Sequence, residues 1–422
     1  MAHSAAQPAV TSPAPVHSEY GTRYDRKGVA LMAWAHFAHD LYPSFLGVLV
    51  PAVQTKLAIP LTVASLMVPA QQMPSILQPM FGYLADRTSR RWFVILTPAT
   101  AAVSLSLVGL APHFAVVLLL LLGSGLSSAA FHAPAVALVG EFGGQRTGRA
   151  MAIFMTGGEL ARTLGPLLLT ATIAFLTLEG TAVVMLVGIA ASLTLVFTLD
   201  TGPGDVAARR RRNNQALRPL LHQRWRPVTG LLGVTVLNTV AVTPMTFFLV
   251  KLLETRGHSH LYGGIALSTL YASAIAGSLI GGTMSDRVGR RSTLALSALL
   301  TAPLMFLYLA LENGSWAMLG LIVLIGLAAM PPRPVTLALA NDLMPEARGP
   351  MAGLTLATSF VAQSLAALGF GALADLIGIG PAFWWSAGIS LLGLLFVPLI
   401  PPASRGGAAA GSQCECRAAA QS

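Results

Sequence analysis

Charge is what this chain has least of. Asp, Glu, Lys and Arg make up only 10% of its 422 residues, while 54% are hydrophobic. A soluble domain carries about 25% charge, so a chain wetted on all sides is excluded. Cysteine is almost absent. The two present, Cys414 and Cys416, stand in the C-terminal stretch and build no disulfide framework. Two thiols make a weak metal site, and no metal is expected. Residues 1–27 lack the apolar core of a signal peptide. No phosphate-cradling G-x-x-x-x-G-K-[ST] loop, no H-E-x-x-H and no G-x-S-x-G elbow occurs. The chain is therefore not expected to be an enzyme, no cofactor is expected, and an ion gradient rather than ATP is the expected energy source.

What is present is apolar sequence in long runs. They fall at about 28–50, 61–84, 92–111, 114–139, 150–175 and 181–199, then at about 228–252, 262–284, 292–311, 316–339, 351–374 and 381–400. Each is long enough to cross roughly 30 Å of hydrocarbon as a helix. Helix is the only option, because a lone strand leaves its backbone polar groups unpaired in lipid. The expected fold is an all-α membrane protein of twelve transmembrane helices in two six-helix bundles. Residues 1–27 and 401–422 read as disordered tails, 28–199 and 228–400 as the bundles, and 200–227, with Arg209 to Arg212, as a basic linker.

The +10 net charge is placed by the spans. With both termini on one side, that side holds the arginines of the tails, of the linker and of the loops at 87–91, 146–149, 287–291 and 348. The other side holds only Lys56, Lys251 and Arg256. By the positive-inside rule the first side is cytoplasmic. The basic linker reads as a topology anchor, and no nucleic-acid partner is expected. Arginine in excess of lysine, with abundant alanine and glycine, points to a bacterium, hence to its inner membrane.

One stretch occurs twice. Gly82-Tyr-Leu-Ala-Asp86-Arg87-Thr-Ser-Arg90-Arg91 returns as Gly282-Thr-Met-Ser-Asp286-Arg287-Val-Gly-Arg290-Arg291, each copy between two apolar runs. Repetition at so large an offset means duplicated halves. Twelve spans, a basic central loop and this G-x-x-x-D-R-x-x-R-R loop in both halves resemble the major facilitator superfamily. The resemblance implies two bundles around a central cavity that opens to alternate sides. It also implies gating roles for Gly82, Asp86, Arg87, Arg91, Gly282, Asp286, Arg287 and Arg291: the glycines let helices approach, and the aspartates form ion pairs with neighbouring arginines that hold the cytoplasmic side closed.

A narrower resemblance lies in His36-Phe-Ala-His39-Asp40, in Gly123-Ser-Gly125 with Phe131-His132-Ala-Pro134, and in Gly157-Gly158 with Gly165-Pro166. These are similar to the fosmidomycin-resistance branch, and imply a proton-driven exporter of small drugs, including an anionic phosphonate. Glu159 and Arg162 depart from that pattern, because the branch carries a small amide and small polar residues there.

Charged groups inside spans are costly and mark function or a partner. Asp40 lies near the middle of the first span, with His36 at i−4 on the same face and His39 beside it. Histidine takes and releases protons near neutral pH, so this cluster is the first candidate for proton coupling. Glu159 and Arg162, at i and i+3 in the fifth span, can meet on one helix face. Arg162 would hold an anion, and Glu159 would be a second proton site or the counter-charge that releases it. His132 and Arg333 stand at related places in the two halves, the latter between prolines. Arg333 needs a partner: Glu159, Asp40 or a substrate anion; otherwise it snorkels to the membrane surface. Gln71, Asn238 and Gln363 are candidate cavity donors.

The expected protein is a proton-coupled secondary transporter, an antiporter exporting a small anionic compound by alternating access. Its expected partners are that substrate, protons and lipid, with the chain as a monomer. The alternatives are an importer or exchanger of a carboxylate or phosphorylated metabolite, and a non-transporting membrane sensor or scaffold.

Overall fold

The computed structural model of the protein describes residues 24–200, 221–311, 316–344 and 347–402. The linker arginines Arg209 to Arg212 and the pair Cys414 and Cys416 lie outside the described residues. All regular structure among the described residues is helical. Among the described residues nine stretches are long and apolar enough to cross a membrane, and one of them, Phe114–Leu176, contains two helices joined by a short turn.

The first two expected spans are helical but broken, and proline is the reason. The first runs as Arg26–Asp40, a 3-10 turn at Pro43–Phe45, then Leu46–Leu57. Pro43 has no N–H for the carbonyl four residues back, so the α-helix stops at Asp40. The second is split into Leu61–Ala64, Met67–Gln72, Met73–Leu77 and Gln78–Arg87, with Pro69, Pro74 and Pro79 along it. The tenth breaks at Pro331 between Trp316–Ala329 and Pro332–Leu343. The fifth, Thr147–Leu176, and the eighth, His260–Val288, run unbroken.

The buried apolar residues form three clusters, and their layout gives the shape. One cluster takes residues from both halves, including Leu49, Val53 and Met67 with Leu249, Leu253 and Leu267. The other two each belong to one half: Val29, Val94, Leu138 and Leu199 in the first, Val228, Leu294, Leu339 and Met351 in the second. The shared cluster lies toward the end away from the chain termini; the separate ones lie toward the termini. The halves are thus joined at one end and parted at the other.

Close approaches confirm the joined end. Gly371 packs against Ser65 and the Leu61 carbonyl, Gly47 against the carbonyl of Thr246, and Gly264 against Thr170. Asp375 of the C-terminal half accepts hydrogen bonds from the N–H groups of Leu61 (3.1 Å) and Thr62 (2.7 Å) and from the Thr62 hydroxyl (2.6 Å).

Within the N-terminal half, the first and fifth segments press together at glycine. A Cβ on Gly157 would fall on the carbonyl oxygen of Ala33, and one on Gly158 would meet the His36 ring at 2.5 Å. Backbone cannot give way as a side chain does, so Gly157→Ala is expected to cost about 1–3 kcal/mol, the usual penalty of overpacking. A lowered midpoint of thermal unfolding in detergent reads this out; an unchanged midpoint would show that the contact relaxes freely.

Candidate functional site

The break in the first segment sets Asp40 at a helix end inside the protein, where it is only 8% exposed. Three imidazoles surround it. His39 Nδ1–H donates to Asp40 Oδ1 at 2.9 Å; His36 Nε2 lies 3.3 Å from Oδ2; His132 Nε2, from the fourth segment, lies 3.5 Å from Oδ1. Aromatic rings fix two of them: His36 stacks on Phe154 with centroids 4.1 Å apart, and His39 on Phe131 at 4.4 Å. Backbone carbonyls fix the tautomers. His36 Nδ1–H donates to the Phe154 carbonyl (2.8 Å) and His132 Nδ1–H to the Ser128 carbonyl (2.9 Å). A carbonyl only accepts, so each Nδ1 carries a hydrogen and each Nε2 turns to the carboxylate.

The second group lies on the unbroken fifth segment. Arg162 Nη2 donates to Glu159 Oε1 at 2.5 Å, with both side chains about a quarter to a third exposed. The guanidinium Nε is buried with no hydrogen-bond partner among the described residues. This pair is tied electrostatically to the first group, since Arg162 feels the charge of Asp40, and His132 that of Arg162. It is tied to the other half as well. Tyr271 of the eighth segment and Arg333 of the tenth lie in the field of Arg162 and Glu159. Arg333 stands at the proline break of its own segment, is exposed, and has no ion-pair or hydrogen-bond partner for its guanidinium among the described residues. A single line of charge thus runs from His36 and Asp40 through His132, Arg162 and Glu159 to Arg333, crossing between the halves.

The remaining candidates divide. Gln71 is buried with neither amide atom hydrogen-bonded among the described residues, beside the fourth segment at Gly125. Gln363 is half-buried on the eleventh segment. Asn238 lies in the seventh segment. It lines a narrow crevice with Leu294, Pro332, Ser390 and Gly393, all of the C-terminal half.

Arg90 is the arginine that pairs with Asp86 (2.5 Å), and it binds Glu141 as well (2.5 Å). Arg290 pairs likewise with Asp286 (2.5 Å) and Asp342 (3.1 Å). Arg91 instead donates to the carbonyls of Val196 and Leu199, and Arg87 lies over the Tyr83 ring at 4.1 Å. Every one of these bonds stays within one half. In this conformation, with the halves parted at that end, no ion pair among the described residues joins them there. Gly82 does approach the fourth segment, 3.1 Å from a built Cβ to Ala133. In the second copy the close approach falls one residue earlier: Gly281 meets Pro331, while Gly282 has open space around it.

Sequence reading missed Tyr271, Glu141 and Asp342. A lone tyrosine in an apolar span carries no signal. The acidic pair was findable, because Glu141 and Asp342 sit at nearly the same offset as Asp86 and Asp286.

The sequence profile of the Major Facilitator Superfamily matches the chain over residues 32–275 and again over 231–413. The chain is 25% identical over 370 residues to a fosmidomycin resistance protein of Escherichia coli (strain K12), covering 86% of this chain and 90% of that protein. It is 24% identical over 377 residues to the uncharacterized MFS-type transporter YfnC of Bacillus subtilis (strain 168), covering 85% and 89%. Among solved structures, the nucleoside transporter NupG superposes with a TM-score of 0.68 at 13% identity, over 89% of this chain and 99% of that one. A bacterial homolog of the human lysosomal transporter Spinster, inward-facing and occupied, gives 0.67 at 16% identity, over 88% and 93%. Both structural likenesses speak to the fold.

Proposed function

The chain belongs to the major facilitator superfamily, a family of transporters and not of enzymes, and from that premise we propose that it is a proton-coupled secondary transporter that exports a small anionic organic compound. The observation that carries this reading is the pair of arginines from opposite halves. Arg162 is held by Glu159, while Arg333 lies in the field of both and has no ion-pair partner of its own among the described residues. A substrate with two or more anionic oxygens satisfies both guanidinium forks at once. Because the arginines belong to different halves, binding it bears on how the halves sit, which alternating access requires.

Protons load on Glu159, and Asp40 with His36 and His39 is the second acid–base group on the same line of charge. Gln71 and Gln363 add neutral donors. By the positive-inside rule the parted end faces the cytoplasm, so this conformation takes substrate from inside the bacterial inner membrane. The duplicated loops, each braced within its own half, form the rims that meet when that end closes.

Export is favoured by the likeness to a fosmidomycin resistance protein. Import has one observation on its side. An anion that takes Arg162 must displace Glu159, and a freed carboxylate beside an anion binds a proton more readily, so substrate and proton would travel together.

Uptake into proteoliposomes under pH gradients of either sign tests both directions. The panel holds phosphonates, carboxylates, phosphorylated sugars and organic cations. Accumulation of an anion with the interior acid is the result expected for export. Accumulation only with the interior alkaline would replace export by import, and movement of cations alone would sink the anion reading. Arg333→Ala is expected to weaken binding of the transported anion about 10–100-fold, the worth of one charged hydrogen bond. Unchanged binding in both Arg333→Ala and Arg162→Ala would remove the arginines from the site.

A further inference from the structure

His36, Asp40 and His132 do more than surround a charge. Their three ligand-type groups, two imidazole nitrogens and a carboxylate, bring atoms within 4.8 Å of one another. The two Nδ1–H groups are already given to backbone carbonyls, so in the neutral rings both Nε2 atoms present lone pairs inward. The carboxylate presents its own, one oxygen toward each ring, at 3.3 and 3.5 Å. Lone pairs facing lone pairs repel unless something positive lies among them.

The two nitrogen–oxygen spacings, 3.3 and 3.5 Å, are close to those of neighbouring metal ligands. Bonds of about 2.0–2.1 Å at a tetrahedral angle put neighbouring ligand atoms roughly 3.3–3.4 Å apart. The surroundings have the form of an outer shell: ligating histidines characteristically donate their other N–H to a carbonyl, and ligating carboxylates are themselves hydrogen-bonded. Here the carbonyls are those of Phe154 and Ser128, and the donor to the carboxylate is His39, buried and stacked on Phe131. Phe154 and Phe131 wall the cluster, and the partial exposure of His132 leaves an approach from one side. Two nitrogens and a carboxylate disfavour magnesium and calcium, which take oxygen donors, and suit zinc and its first-row neighbours. Arg162 is the cation whose field reaches the cluster, and Glu159 pairs it at 2.5 Å.

We propose that His36, Asp40 and His132 bind one divalent transition-metal ion of the zinc type within the N-terminal half. This goes against the expectation from sequence, where only the Cys414 and Cys416 pair offered soft donors. It does not depend on the transport reading, because it is tested by binding alone; with the ion bound, Asp40 and His36 take no proton and Glu159 remains the proton site.

The probe is Co2+, titrated into the untagged full-length protein in detergent and followed by its visible d–d absorption. The expected result is one Co2+ per chain with the intense bands of a four- or five-coordinate nitrogen–oxygen site, displaced by Zn2+. His132→Ala should abolish the signal. His39→Gln, which touches no metal, should weaken binding about 10–100-fold, as loss of an outer-shell partner does. Cys414→Ser with Cys416→Ser should leave it unchanged. No stoichiometric binding by the wild-type chain overturns the proposal. So does a near-ultraviolet thiolate charge-transfer band, which would put the metal on the tail cysteines whether or not His132→Ala folds. Loss of gradient-driven transport without any change in Co2+ binding would bear on the transport reading only.

Discussion

Glu159→Gln is expected to tighten substrate binding and at the same time to disconnect transport from the pH gradient. In the wild type the Arg162 guanidinium rests on the Glu159 carboxylate at 2.5 Å, and an anion must displace that carboxylate. Glutamine keeps the size and an acceptor oxygen but removes the charge. The displacement then costs the difference between a charged and a neutral hydrogen bond, about 1–2 kcal/mol, and the partial exposure of both side chains argues for the lower part of that range. Binding should therefore tighten about 5–30-fold. Accumulation driven by a pH gradient should fall to the level seen without one, because the group that exchanged its charge is gone. Counterflow, in which labelled substrate exchanges for unlabelled with no net proton movement, should persist. That split separates a coupling role from a structural one, since a misfolded variant loses both. Weaker binding, or accumulation that still follows the gradient, would take Glu159 out of the coupling.

What could be read from sequence follows from how local each relation is. Helix spacing alone put Asp40 beside His36, and Glu159 beside Arg162, and both pairs meet. The repeat at residues 82–91 and 282–291 announced the two halves, and hydropathy placed the helices. The failures are all matters of which side of a helix faces what. Arg87, Arg90 and Arg91 are indistinguishable as sequence, yet only Arg90 reaches Asp86, because it lies one turn on across the loop and can also touch Glu141 on the fourth segment. Asn238 carries no mark in the sequence of the crevice it lines with Leu294, Ser390 and Gly393. Tyr271 gains its place only because an unbroken eighth segment runs along the fifth, opposite Arg162. The proline at 43 was visible, but not that the break it makes would turn Asp40 to a histidine from the fourth segment as well as to its own neighbours. The asymmetry between the halves was legible: Asp40, His132, Glu159 and Arg162 align with Val240, Pro332, Ser359 and Ala362, so the scaffold is duplicated and the charge is not.

Asp375→Ala is expected to shift the protein away from the conformation described here. The carboxylate belongs to the C-terminal half, and all three of its donors, the N–H groups of Leu61 and Thr62 and the Thr62 hydroxyl, belong to the N-terminal half. The contact therefore exists only while the halves are joined at that end, and it must break for that end to open. A buried carboxylate with three donors would hold the joint strongly, but Asp375 is exposed and water competes for it. About 1–2 kcal/mol is a fair worth for the whole contact, which is a factor of roughly 5–30 in the balance between the two states. Ser65 reports on that balance. It is fully buried where Gly371 packs over it, so a cysteine there reacts with a soluble thiol reagent only when the joint opens. With Cys414 and Cys416 replaced by serine, Ser65→Cys should react about 5–30-fold faster in the Asp375→Ala background, and Thr62→Val, which removes one of the three donors, should give a smaller increase. If the rate is the same with and without the carboxylate, the apolar contacts of the shared core hold the joint unaided, and Asp375 is no latch.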